Sequence, residues 1–284
     1  MERFYLKLGL LFIMFVIAGW IIKAKEILVF SNIVLSGYLV ISSFIFGILI
    51  AFSISGRRAR LNSIRENLRE QDAILLNIYN LSKLFGNKII KKVRNKIDDY
   101  LILQLDYKLE DFGKSIQGLM RLNEFLEKVE SKTKLQEEAK SKILDQADEL
   151  TKIHKKVFYE VKEKMMAYDW FSLFILSGVI IFCLFYINNN TIMSIFITGI
   201  ISTSLVLLFF ILIELDNLKW QEQNWIWIPI SELFLELGLM PYFPEEVFKK
   251  KRLNYKKIKK NGKIRIAHYP EKYPNMAGKT VEIV

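Results

Sequence analysis

Hydrophobic positions follow two patterns along this chain. In the first they form unbroken runs: no Asp, Glu, Lys or Arg occurs between Glu26 and Arg57, or from Trp170 to Ile213. Crossing hydrocarbon takes roughly 20 apolar residues in a helix, so both runs are long enough. The second is too long for one helix, and the polar turn formers INNNT at 187–191 divide it into two. A shorter run, LGLLFIMFVIAGWII, lies between Lys7 and Lys23. A signal peptide is the rival reading there, but the run ends in Trp20, Ile21, Ile22 and Lys23 with no small-x-small cleavage pattern. It reads better as a span whose flanking lysine stems reach the interface. Four spans are predicted, at 5–23, 30–54, 169–187 and 192–214.

The second pattern is periodic. From Arg57 to Lys164 there is no proline, and the only glycines are Gly86, Gly113 and Gly118, so long helices are expected. Leu61, Ile64, Leu68, Leu75, Ile78 and Phe85 make a first stripe at helical spacing, broken by Gln71 and Asp72 and stopped by Gly86 and Asn87. Val93, Ile97, Leu101, Leu105, Leu109, Phe112, Ile116 and Leu119 predict one middle helix, bent at Gly113 and Gly118. After SKTK at 131–134, a third stripe through Leu135, Ala139, Ile143, Leu150, Ile153, Val157 and Val161 is expected to run unbroken into the third span. Beyond the fourth span, Ser231 is placed to cap a short helix ending near Gly238, with Leu233, Phe234 and Leu237 at the inner interface. The tail segments KIRIAHYP and KTVEIV alternate like the strands of a hairpin.

Charge orients this arrangement. Of 41 basic residues, 24 lie in 55–168 and 13 after 214, whereas 188–191 has none. Basic loops near spans stay in the cytoplasm. Both termini and the central segment are therefore expected there, in a cell (inner) membrane. Trp20 and Tyr186 then mark the outer interface, and Trp170, Trp220, Trp225 and Trp227 the inner one. The expected fold class is an all-α integral membrane protein with four transmembrane helices, a long cytoplasmic helical bundle between the second and third, and a small tail with a β-hairpin. Its domains are 1–55, 56–168, 169–214 and 215–284.

Candidate chemistry changes this picture little. The two histidines, His154 and His268, are far apart in sequence, and the single cysteine, Cys183, lies within a span. They suggest neither a metal site nor a nucleophile pair. No phosphate-binding loop or hydrolase motif occurs, and the carboxylates alternate with lysines as on any solvated helix face. The reading is a non-enzyme without cofactor or metal. The net charge of +11 is explained by topology, with no nucleic-acid module beside it.

The second span is the most informative. Ser43, Gly47, Ala51 and Ser55 form a small-residue stripe that admits a neighbouring helix closely. Phe44, Ile48 and Phe52 form the adjacent stripe; such stripes more often face lipid or neighbouring helices, and the rival reading is an apolar pore constriction. Arg57, Arg58, Arg60, Glu214 and Asp216 are charges at the inner ends of the second and fourth spans, placed either to pair or simply to be solvated. Lys249, Lys250, Lys251, Arg252, Lys256, Lys257, Lys259 and Lys260 make a basic run that fits anionic membrane lipid or a solvated linker.

The segments FGILIAFSISGRRARLNSIRENLREQDAILLNIYNLSKLFGNK, VRNKIDDYLILQLDYKLEDF and LLFFILIELDNL, in this span order, resemble the bestrophin-like integral membrane proteins of prokaryotes. The chain departs from their pattern in NLKWQ after Asp216 and in Tyr107 after Asp106. The resemblance implies a homo-oligomer, with a pentamer expected from bestrophins, and an anion channel whose neck is apolar residues at four-residue spacing on the second span. Phe44, Ile48 and Phe52 match that neck by type. The alternative is a non-conducting scaffold or signalling protein whose helical arms bind a cytoplasmic partner that the sequence does not identify.

Overall fold

The computed structural model describes residues 13, 14, 17, 32–189, 191–219, 223–249 and 262–284. Of the predicted first span at 5–23, only Ile13, Met14 and Ile17 fall among them, and they are helical. Trp20, Trp220 and the basic run beyond Lys249 lie outside the described residues.

Eight α-helices are described: α1 (Asn32–Ser82), α2 (Asn87–Asp106), α3 (Ile116–Glu127), α4 (Lys134–Lys162), α5 (Ala167–Ile187), α6 (Ile192–Asp216), α7 (Ile228–Glu236) and α8 (Glu245–Lys249). The strands β1 (Tyr242–Pro244), β2 (Arg265–His268) and β3 (Thr280–Ile283) complete the set. Windows long and apolar enough to cross a membrane lie within Ile33–Phe85, Lys134–Ile187 and Ile192–Asp216. The chain divides into two compact units, Met1–Arg60 with Lys164–Lys219, and Leu61–Glu163 with Trp220–Val284.

The first unit holds the N-terminal part of α1 together with α5 and α6. These segments are apolar on every side, so the choice of inward face falls to packing rather than to periodicity. Phe46 and Ile50 of α1 pack with Leu173 and Ile180 of α5 and with Leu205, Phe209 and Leu212 of α6. The Phe174 and Phe209 rings stack at 4.7 Å. Leu35, Cys183 and Tyr186 form a second buried group. Tyr186 stands in the last turn of α5 and is 5% exposed. At the α5–α6 turn, Thr191 caps α6 by accepting a hydrogen bond from the Ser194 amide at 3.2 Å.

In the second unit the stripes read from the sequence are buried. Leu61, Ile64, Leu75 and Ile78 of α1, Val93, Ile97 and Leu101 of α2, and Ala139, Ile143, Leu150, Val157 and Val161 of α4 are all buried. A fully buried aliphatic side chain contributes about 1.5–3 kcal/mol, so such a stripe is ample reason for each helix to sit where it does. Gln71 does not break the first stripe but continues it: it is 1% exposed, donates to Gln104 Oε1 at 3.1 Å and accepts from the Tyr100 hydroxyl at 3.1 Å. Leu135 leaves the third stripe, being 60% exposed.

The expected single middle helix is two helices. α2 ends at Asp106, Tyr107 and Lys108 take extended conformations, and a tight turn over Leu109–Ser115 leads back into α3. Gly118 makes the return possible, because a Cβ there would lie 3.0 Å from the Tyr100 Cα. The expected continuity of the third stripe into a span also fails. α4 stops at Lys162, Glu163 and Met166 are extended, and α5 begins anew at Ala167.

Residues 223–284 belong to this second unit. Ser231 lies inside α7 and bonds the Ile228 carbonyl at 2.7 Å, so it is no cap; Pro229 opens the helix instead. Leu233, Phe234 and Leu237 are at most 4% exposed, packed within the unit rather than laid on a surface. Trp225 and Trp227 are likewise buried in it, with the Arg65 guanidinium 5.5 Å from the Trp225 ring. The expected pairing of the tail segments is present as antiparallel β2 and β3, with Arg265 opposite Ile283. The sequence reading missed β1, which pairs parallel to β2.

Three carboxylates near the end of α2 hold this tail. Arg265 grips Asp98 with two nitrogens at 2.8 and 2.6 Å. Asp106 accepts from the Tyr242 and Tyr269 hydroxyls and from Lys279 at 2.6 Å. Asp111 accepts from the Tyr273 hydroxyl, which together with Lys114 holds its carboxyl below the usual range.

Candidate functional site

Two features of the first unit answer to the sequence-predicted site: the exposed side of α1 and the charges at its end. Side chains two positions apart on a helix point about 200° from one another. Phe46 and Ile50 face the unit's own core at 3% and 4% exposure. Phe44, Ile48 and Phe52, offset from them by two positions, are 68%, 41% and 74% exposed. The packing of α5 and α6 against one side of α1 therefore leaves the aromatic stripe on the opposite side.

Ser43, Gly47, Ala51 and Ser55 lie between these faces. With Phe44, Ile48 and Phe52 they line one shallow groove along the helix. A Cβ added at Gly47 would meet nothing within 4 Å. Both predicted stripes thus share one apolar, outward-facing surface.

The charges divide sharply. Asp216, 7% exposed at the end of α6, lies 3.5 Å from Arg57 and 3.8 Å from Arg60. Arg60 also donates to the Asp216 carbonyl at 3.1 Å. Arg57 and Arg60 are three apart and so share a side of α1. The sequence did not reveal two further partners. The Met165 amide donates to Asp216 Oδ1 at 3.0 Å, and Lys164 donates to the Asp216 carbonyl at 3.1 Å and to Asn217 Oδ1 at 2.9 Å. Lys164 was visible as the last basic residue before the apolar run. The Met165 contact is made by backbone, which no side-chain pattern announces.

Arg58 and Glu214, grouped with these charges in the sequence reading, are exposed and stay outside the cluster. Of the basic run, only Lys249 is described, and it pairs with Glu245 at 2.8 Å. Among the described residues, no group of three or more His, Cys, Asp or Glu is arranged to hold a metal ion. The site combines an apolar outward face on α1 with a charge cluster at its end, where Arg57, Arg60 and Lys164 converge on Asp216.

A family model described as Bestrophin-like domain matches residues 11–218. The chain belongs to the bestrophin-like family. No curated protein and no solved structure shows a significant match. The bestrophin-like region takes in α1 through α6 and ends two residues past Asp216. The three-stranded sheet and α7 lie beyond it.

Proposed function

We propose that this bestrophin-like membrane protein is a homo-oligomeric ion channel in which the Phe44, Ile48 and Phe52 stripe of each copy lines a central apolar constriction. One observation carries the reading: the stripe lies on the side of α1 opposite its own packing face, with Phe52 still 74% exposed. A lone aromatic stripe also suits lipid, but here it shares a groove with Ser43, Gly47, Ala51 and Ser55. Small residues at this spacing let a second helix approach closely. In a ring of copies, the small residues pack against the neighbour while the aromatic stripe faces the axis, where an apolar ring gates by excluding water. In this reading the protein sits in the cell membrane with both termini and the second unit in the cytoplasm, its anion preference and pentameric size follow the bestrophin pattern, and it has no enzymatic role.

Ion flux in proteoliposomes tests the proposal. Wild type is expected to conduct, and Phe52→Ala, which widens the constriction, to conduct several-fold faster. Absence of flux from verified oligomers across varied ions, pH and voltage would remove the channel and leave a membrane scaffold whose helical arms bind a partner.

A further inference from the structure

We infer that the end of the second unit where α1 turns into α2 is a docking site for an acidic, amphipathic helix of a partner protein. Lysines crowd this end. Residues 83–92 carry four lysines and no carboxylate, and residues 128–134 carry three lysines against Glu130 alone. Gln136, in the first turn of α4, draws the two stretches together. Its side chain donates to the Leu84 carbonyl at 3.0 Å and accepts from the Lys132 amide at 2.8 Å. All seven lysines are exposed, and among the described residues none forms an ion pair. Lys83 has only neutral partners, the Asn80 side chain and the Tyr79 ring.

Two features of this end fit a negative partner. Lys88, Lys91 and Lys92 share one face of α2 within its first two turns, and no acidic residue stands in the first. Lys88 therefore lies against the positive end of the helix dipole, the reverse of a stabilising placement. Leu84 supplies the carbonyl of the Gln136 bond and Leu135 precedes Gln136, yet their side chains are 42% and 60% exposed. Each leucine directly follows a lysine, Lys83 or Lys134. An apolar centre with a polar rim is the layout of a protein interface. The charge selects an acidic partner, and the two leucines select apolar residues on one face of a helix, between its carboxylates. Other polyanions fit less well. Neither stretch contains arginine, which forks onto phosphate, nor tryptophan or tyrosine, which stack on bases and anchor at membrane interfaces. The site does not depend on conduction.

Fluorescence anisotropy tests this with the full-length protein in neutral phosphatidylcholine nanodiscs. The probe is a labelled helical peptide with leucines on one face flanked by glutamates. Wild type is expected to bind it in the micromolar range, and more weakly as salt is added. Joint replacement Lys88→Gln, Lys91→Gln and Lys92→Gln should weaken binding roughly tenfold, and Leu135→Ser several-fold with the salt dependence kept. Removing the same charge from exposed positions farther along α4, by Lys152→Gln, Lys155→Gln and Lys156→Gln, should change it less than about twofold. The first triple variant takes cations from the start of a helix, so it should fold at least as well as wild type, which circular dichroism checks. A wild type that does not bind, an equal loss from both triple variants, or indifference to Leu135→Ser overturns the proposal. So does tighter binding of phosphatidylglycerol vesicles or duplex DNA through the same lysines, which would assign this surface to a membrane or to nucleic acid.

Discussion

Asp72 and His154 place opposing titrations in the second unit. Burial, with the Glu236 carboxylate adding repulsion, pushes the Asp72 carboxyl up to about 7. An unfolded Asp releases its proton near pH 4, so the folded form holds the proton longer and stability falls as pH rises from about 4 to about 7. His154 acts the other way. Burial holds its imidazole down to about 4, so stability falls as pH drops from about 6.5 towards 4. Its ring is neutral within the fold: the Tyr100 hydroxyl spends its proton on Gln71, so His154 Nδ1 donates to Tyr100 at 2.9 Å. His154 Nε2 is left buried with no partner among the described residues. Asp72→Asn removes the first titration and keeps the second. Thermal unfolding in detergent should find wild type and variant close at pH 4.5 and separated at pH 8. The variant should be the more stable at pH 8 by about 2 kcal/mol, half the full linkage value because Asp72 remains partly exposed.

At the scale of elements, Gly118 sets the approach of α3 to α2 against backbone. Gly118→Val is expected to cost about 1–3 kcal/mol, because its added carbons meet the Tyr100 backbone, which has no freedom to move aside. Denaturant titration followed by far-ultraviolet circular dichroism measures the loss. The same elements show what the sequence could reveal. Leu61, Ile64, Leu75 and Ile78 were legible as a buried face because burial imposes a helical period on residue type. The tail hairpin was legible from its alternation. The helix ends at Asp106 and Lys162 were not, since neither has a glycine or proline beside it. Asp106 is held by Tyr242, Tyr269 and Lys279, and the break before α5 by Asp216 binding Met165, partners between about 50 and 170 residues away in the chain. Gln71 was misjudged for the same reason: its buried partners Gln104 and Tyr100 come from another helix. Of the candidate site, the two stripes on α1 were readable by spacing alone. The division of the three arginines was not, because it depends on where Asp216 arrives.

For the whole molecule, assembly is the property most exposed to test. Gly47 opens onto the groove, and a Cβ added there meets none of the described residues within 4 Å, so Gly47→Leu should leave the fold unchanged. It should instead block the approach of a neighbouring copy, and light scattering in mild detergent should report a smaller particle than wild type. An unchanged particle mass would mean that copies meet on another face. The bestrophin-like region supplies all of the first unit's described helices, whereas the second unit draws on both sides of its boundary at residue 218.

Both units are assembled from two separate stretches of chain. This has a consequence for biosynthesis. As the polypeptide leaves the ribosome, Asp98, Asp106 and Asp111 emerge long before Arg265, Tyr273 and Lys279, which satisfy them. Asp98 and Asp106 therefore wait for Arg265 and Lys279 through much of translation, whereas Asp111 already has Lys114 beside it, and the last 20 residues close the unit rather than trail from it. A stop codon before Arg265 would leave a nascent protein that inserts its apolar helices but never completes its second half, a natural substrate for membrane quality-control proteases.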